Sequence, residues 1–319
     1  MTDSKIILVG VAGVGSLGIN HARIYSELPG CKLAGIYDTD TTRATEVASQ
    51  YNTQACSSLD ELINTVDAAS IVVPTHLHFD VASQMIRAGK HLLVEKPITS
   101  TTSEAEELVR LAQEHNIVLQ VGHIERFNPV MEYLEKAARN PKFIEAHRLA
   151  PFPPPREGMH PRGTEVNVVL DLMIHDIEVI LHLVRSPVKE VRAVGVPVLS
   201  GSEDIANVRL EFENGCVANI TASRISPERM RKIRVFVEDA YISLDYQKQA
   251  GEIFRKTEKG IEGEEVPIQK GEPLANELRS FVDCAARHGE PKVSGEHAAE
   301  ALKLAAHITQ LMRRRQQKQ

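Results

Sequence analysis

The chain has 319 residues, of which 42% are hydrophobic and 25% charged, with a formal net charge of -6. That size suggests about two globular domains, and the acidic balance argues against a general nucleic-acid binder. The longest apolar runs fall short of the roughly 20 residues a membrane span needs, and the amino-terminus runs straight into a strand-like stretch without a secretory signal, so a cytoplasmic protein is expected. Cys31, Cys56, Cys216 and Cys284 include no C-x-x-C pair, which fits reduced side chains rather than a zinc cage or a disulfide framework.

Residues 5–13 (KIILVGVAG) form a short β-rich apolar run ending in glycine, the pattern of a buried parallel strand. A helix over 17–28 and a second strand over 32–37 follow. Helices over 41–50 and 58–64, strands over 68–73, 91–95 and 118–121, and helices from Pro74 to Ala88 and over 103–114 complete an alternating series. Such alternation requires a parallel sheet with right-handed crossovers.

The rhythm changes after Gly122. A helix over 127–140 and a strand over 143–149 precede residues 151–163 (PFPPPREGMHPRG), whose five prolines exclude regular structure and leave a substrate lid or a plain connector open. Residues 166–184 read as one helix. The strand-like region beyond residue 188 contains Asn214-Gly215, a hairpin signal, and a second antiparallel pair over 231–237 and 241–246. Helices over 274–288 and 295–312 close the chain. The expected architecture is α/β: a doubly wound parallel domain over 1–122, then an α+β domain over 123–319 with a large, mostly antiparallel open sheet. The last helices are free to pack back on the first domain.

Gly13, Gly15 and Gly18 spell G-x-G-x-x-G between a strand and a helix. The first allows a tight turn, the second admits a pyrophosphate against the backbone, and the third lets helix and strand pack closely. Ser16 and Leu17 lie within the same turn. Asp38 stands about 20 residues beyond Gly18, where an acid accepts hydrogen bonds from ribose hydroxyls and repels a 2′-phosphate. NAD is therefore the expected cofactor. Arg43, just after that strand, keeps NADP as the second choice.

Two groups carry candidate chemistry. Lys96, in Glu95-Lys96-Pro97 at the end of a parallel strand, is placed to hydrogen-bond a substrate hydroxyl. Asp171 and His175 are four apart on a predicted helix, so both project from one side, and a carboxylate that fixes a histidine's tautomer suits a general base. A surface lysine and a structural Asp–His pair are the plainer readings of each. His76 and His78 have no evident third ligand, so no metal is expected.

Taken together, GVGSLG-x-Asn20-His21, Asp38, Pro74-Thr75-x-x-His78, Glu95-Lys96-Pro97 and Asp171-x-x-x-His175 resemble the Gfo/Idh/MocA oxidoreductases over nearly the whole chain. The resemblance implies a Rossmann domain, an open-sheet second domain, and oxidation of a sugar or polyol hydroxyl. It places Pro74, Thr75, His78 and Glu95 along the cofactor, and Lys96 and His175 at the reacting carbon with Asp171 in support.

His123, Arg126, Asn128 and Pro129, with Ser223-Arg224 and the residues from Met230, further resemble the branch that oxidises the 3-hydroxyl of UDP-N-acetylglucosamine. That implies a nucleotide-sugar partner and a place in lipid A or related glycan synthesis. Its diphosphate would meet cations chosen from Arg126, Arg148, Arg156 and Arg162, with His123 and Asn128 nearby. A homodimer or homotetramer is expected. The alternatives are a polyol dehydrogenase such as one for myo-inositol, an NAD-dependent glycosidase, and a non-catalytic dinucleotide sensor.

Overall fold

The computed structural model describes residues 6–154 and 164–316, which fall into two compact units. One runs to Phe127 and also takes Glu272–Ala299; the other comprises Asn128–Gly271 and the chain from Glu300.

In the first unit six strands are all parallel: β1 (Ile7–Ala12), β2 (Cys31–Tyr37), β3 (Gln54–Ala55), β4 (Ala68–Ile71), β5 (His91–Glu95) and β6 (Leu119–Gly122). Their order is β3-β2-β1-β4-β5-β6, so the winding reverses between β1 and β4. Open α/β sheets bind ligands at such a reversal, outside the carboxyl ends of the strands. Every residue of β4 and β6 is buried, as expected of strands covered on both faces.

The crossovers are α1 (Gly18–Glu27), α2 (Thr41–Gln50), α3 (Leu59–Thr65), α4 (His78–Arg87) and α5 (Thr102–Glu114). Local chemistry sets their starts. The Asp40 side chain caps α2, Ser58 caps α3, and Thr101 with Glu104 makes a reciprocal capping box at α5.

In the second unit α6 (Pro129–Ala137) starts one residue after Asn128, whose side chain accepts the Val130 N–H at 3.3 Å. Eight strands form the sheet: β7 (Phe143–Leu149), β8 (Val188–Val196), β9 (Ile205–Phe212), β10 (Val217–Ser223), β11 (Met230–Phe236), β12 (Ala240–Asp245), β13 (Ala250–Thr257) and β14 (Gly260–Glu265). The order is β14-β13-β12-β11-β7-β10-β9-β8, and β7 pairs with β10 in parallel while the other pairs are antiparallel. Alternate residues such as Ile144, Val208, Ile220, Ile233 and Ile242 are fully buried on one face.

The helix expected over 166–184 is not uniform. Val169–Met173 form a π-helical turn, and α7 (Ile174–Val184) continues from it. Helices α8 (Pro273–Arg287) and α9 (Gly295–Gln316) follow the sheet. Leu278, Phe281, Val282 and Ala285 of α8 share the core that holds Val9, Val11 and Tyr25 of the first unit. No helix of the described residues is long and apolar enough to cross a membrane.

Candidate active site

At the end of β1 the chain turns through Gly13, whose φ is +89° and whose N–H donates to the Tyr37 carbonyl at 2.7 Å. A Cβ at Gly13 would lie 2.7 Å from the Val72 carbonyl oxygen, and one at Gly18 would strike the Gly13 carbonyl. Both glycines are thus required by the protein's own backbone. Gly15 is different: a Cβ there would meet nothing within 4 Å. The space over Gly15 suits a group from outside the chain, and α1 begins beside it with no side-chain cap and no acid in its first turn.

Asp38 completes this corner. Its Oδ2 accepts the Val14 N–H at 2.7 Å and its Oδ1 accepts the Asp40 N–H at 2.9 Å. The carboxylate therefore rests against the glycine turn with further lone pairs to offer. A Gly15→Val substitution is expected to leave the melting temperature within about 2 °C, because the side chain enters open space, while abolishing detectable NAD binding by calorimetry. Retained binding would remove the turn from the cofactor site.

Pro74 precedes a short 3-10 turn, Thr75–Leu77, on which α4 follows. His78, expected along the cofactor, is 1% exposed, and each ring nitrogen lies 2.9 Å from a backbone carbonyl, Nδ1 from Pro97 and Nε2 from Val73. It straps two loops together at the strand ends, so neither nitrogen is presented to a ligand. Burial lowers its pKa against the pull of those carbonyls.

Lys96 stands half-buried at the end of β5, and its peptide bond to Pro97 is cis. Glu95, expected along the cofactor, turns its carboxylate onto protein atoms. Its Oε2 accepts the Lys96 N–H at 3.2 Å and its Oε1 lies 3.3 Å from His21 Nε2. The carboxylate sits over Gly122, where a Cβ would come within 3.0 Å of it. Burial alone would raise its pKa, but His21 first and Lys96 next hold it below the usual carboxylate range.

His123 and Arg126 are also interior, at 1% and 2% exposure. Burial chiefly, with the Lys96 and Arg126 charges helping against Glu95, pushes the His123 imidazole down to about 3, so it is neutral. Arg126 Nη2 donates to the Lys292 carbonyl at 3.4 Å. Its assignment to a diphosphate is withdrawn, because a buried guanidinium bound to backbone does not meet a solvated anion.

The remaining residues belong to the second unit. Asn128, expected near the substrate, instead caps α6 and donates from Nδ2 to the Tyr246 carbonyl at 3.1 Å. Arg148, another expected diphosphate ligand, is 2% exposed and gives two hydrogen bonds to Asp176, at 2.8 and 3.0 Å. That assignment is withdrawn too, since the buried pair satisfies itself. Arg156, Arg162 and most of the proline-rich segment lie outside the described residues.

Asp171 lies in the π turn and His175 in the first turn of α7, both half-buried. Four residues in a π turn fall short of a full circle by about as much as they exceed it in an α-helix, so the two stay on one side. The turn is anchored at its start. Asn167 Oδ1 accepts the Val169 and Leu170 N–H groups at 3.2 and 3.1 Å, and the Val168 N–H donates to the Glu203 carbonyl at 2.9 Å.

Sequence reasoning did not single out Tyr25, Ser70, Asp204 or Glu277, all buried polar residues, nor any anchoring role for Arg224. Only His21 and Arg224 carried a signal, as parts of quoted motifs.

Comparison with known proteins decides the family. Residues 7–123 match the description "Oxidoreductase family, NAD-binding Rossmann fold", and residues 140–243 match "GFO/IDH/MocA C-terminal domain". The UDP-N-acetylglucosamine 3-dehydrogenase of Acidithiobacillus ferrooxidans is 41% identical over 286 residues, 88% of each chain. The chain belongs to the Gfo/Idh/MocA oxidoreductases. A solved structure titled as the Acidithiobacillus ferrooxidans enzyme GnnA superposes with a TM-score of 0.90 at 38% identity, covering 96% of this chain and 98% of that one. The myo-inositol 2-dehydrogenase of Thermotoga maritima is 25% identical over 93% of each chain. As a Gfo/Idh/MocA member the protein is an NAD-binding oxidoreductase, and the open space over Gly15, the uncapped start of α1 and the Asp38 carboxylate fit that cofactor.

Proposed function

We propose that the protein oxidises the 3-hydroxyl of UDP-N-acetylglucosamine, or a closely related nucleotide amino sugar, to the ketone. The observation that carries this reading is the 41% identity with the Acidithiobacillus ferrooxidans 3-dehydrogenase over 88% of both chains. Intact Lys96, Asp171 and His175 support a catalyst over a dinucleotide sensor, which has no use for all three.

NAD supplies the hydride acceptor when bound, and the protein's part is positioning and charge stabilisation. The glycine turn and the start of α1 hold the pyrophosphate. Asp38 accepts the ribose hydroxyls and repels a 2′-phosphate, which favours NAD over NADP. His175 takes the hydroxyl proton, with Asp171 supporting its basic form. Lys96 donates a hydrogen bond to the same oxygen as charge develops on it.

The test is NADH absorbance with a panel of UDP-sugars and free polyols. Reduction with UDP-N-acetylglucosamine is the expected result. Reduction with myo-inositol alone overturns the assignment, and sugar release without NADH replaces it with a hydrolytic reaction.

A homo-oligomer is part of the same reading. The second sheet's outer face carries a row of touching rings, Phe143, Phe236, Tyr241 and Phe254, with centroids 5.5, 4.6 and 5.2 Å apart. Val194 and Val196 on edge strand β8 are 41% and 49% exposed. An apolar face of this kind suits a second copy of the chain, and a monomer in sedimentation would remove that assignment.

A further inference from the structure

Inside the first unit, three side chains make a hydrogen-bonded string that ends in an imidazole–carboxylate contact, and the proposed reaction does not use it. The Tyr25 hydroxyl lies 2.7 Å from Ser70 Oγ, Ser70 Oγ lies 3.0 Å from His21 Nδ1, and His21 Nε2 lies 3.3 Å from Glu95 Oε1. Glu95 Oε2 then accepts the Lys96 N–H at 3.2 Å. Tyr25, Ser70 and His21 are 1%, 0% and 0% exposed, so no solvent offers them alternative partners.

The proton positions follow from one another. Burial pushes the Tyr25 phenol well above its usual range, so it keeps its proton, and in the arrangement that turns an N–H to Glu95 that phenol donates to Ser70. Ser70 then turns its own O–H to His21 Nδ1. An imidazole whose Nδ1 accepts carries its proton on Nε2, and that N–H faces Glu95. Each link directs a donor toward the carboxylate that braces Lys96.

A comparison within the same pocket shows what the string achieves. The groups around Glu95 are His21 on α1, Lys96 beside it in sequence, His78 at the start of α4, His123 with Arg126 and Glu125 after β6, and Glu277 on α8. Glu277 is 0% exposed, and neither of its oxygens has a hydrogen-bond partner among the described residues. Burial first, then the charges of Glu95 and Glu125, drive its pKa well up and favour its neutral form. Two buried acids thus interact while their pKa values are pushed in opposite directions, and the imidazole contact belongs to only one of them.

We propose that His21 is a positioning residue which, with its tautomer set by Ser70 and Tyr25, keeps Glu95 a carboxylate against Lys96 and so sets the acidic edge of the enzyme's working pH range. The Glu95 carboxylate accepts the Lys96 N–H, and protonation weakens that acceptor and loosens the end of β5 that carries Lys96. This rests on the role proposed above for Lys96.

The experiment labels glutamate carboxyl carbons with ¹³C in the full-length protein and follows Glu95 by NMR across pH, with Glu95→Gln identifying the signal. Neither cofactor nor sugar is needed. In His21→Leu the Glu95 titration should move up by about 1–2 pH units, the weight of one hydrogen bond to a charged group, and the acidic limb of kcat should move with it. Ser70→Ala, a smaller change that releases the tautomer, should move both in the same direction by less, and it serves if His21→Leu does not fold. Glu277→Gln reproduces a neutral acid and should move neither.

Unchanged Glu95 titration in both His21→Leu and Ser70→Ala overturns the proposal, as does a shift in Glu95 with no shift in the kcat limb. A shift of a unit or more in Glu277→Gln assigns control to Glu277 instead. If no sugar is turned over while the NMR shift is present, the substrate assignment fails and the His21–Glu95 coupling stands.

Discussion

Lys96→Met should lower kcat by about 10²-fold or more while leaving NAD affinity within about twofold by calorimetry. Methionine keeps most of the lysine stem and removes only the ammonium. The backbone N–H that Glu95 accepts is untouched, so the end of β5 keeps its brace. The cofactor corner is built elsewhere, from Gly13, Gly15, Gly18 and Asp38. A group that acts mainly in the transition state shows itself as a matched fall in kcat and kcat/KM. His175→Asn should behave likewise, since asparagine retains polarity but takes no proton at neutral pH. Near-normal turnover in both variants would place the chemistry on other residues.

Much of the first unit was readable because its strands are buried on both faces. Short, mostly apolar runs such as 68–71 and 91–95 fit strands covered on both faces, and the glycine turn names its place between strand and helix. The second sheet was readable only in part. Strands β9 to β12 alternate clearly, but β14 (GIEGEE) is exposed at every residue and carries no alternation to detect. The parallel pairing of β7 with β10 joins segments roughly seventy residues apart and leaves no local mark. The π turn escaped because a helical apolar pattern does not distinguish it from an α turn.

The candidate site divided along the same line. Types and spacings nominated Asp38, Lys96, Asp171 and His175, but they carry no information on which neighbouring side chains burial turns toward protein atoms. Arg126 and Arg148 look like phosphate ligands as isolated cations, yet each finds its partner far along the chain, at Lys292 and Asp176. Glu95 and His78 stand in the motif expected to face the cofactor, but the fold turns both toward protein atoms. His21 gave no hint beyond its place in that motif, because its meaning comes from Ser70 and Glu95, on strands it meets only after folding.

Asp204→Ala should destabilise the protein by about 3–5 kcal/mol, a fall of roughly 6–20 °C in melting temperature for a unit of this size. Asp204 is 0% exposed, and its Oδ2 accepts the N–H groups of Val198, Leu199 and Ser200 at 2.8, 2.6 and 2.9 Å. Its Oδ1 accepts Arg224 Nε at 2.8 Å and the Ser200 hydroxyl at 2.6 Å. Alanine strands these donors around a guanidinium that is itself 2% exposed. Arg224 also donates to the Val166 carbonyl at 2.8 Å, and Val166 leads into the turn that carries Asp171. The damage should therefore reach kcat in the variant molecules that stay folded.

Burial opposes ionisation of Asp204, but the Ser200 bonds, the Arg224 bond and the other amides outweigh it and depress its pKa. A depressed carboxylate contributes stability above its unfolded pKa and loses it as pH falls through the folded value. The gap between wild type and Asp204→Ala should then be widest at neutral pH and narrow below about pH 4. A double variant, Asp204→Leu with Arg224→Leu, removes both charges and should recover part of the loss, because most of the cost of breaking such a pair is the charge left behind. Equal melting temperatures for wild type and Asp204→Ala would show that the pair anchors nothing.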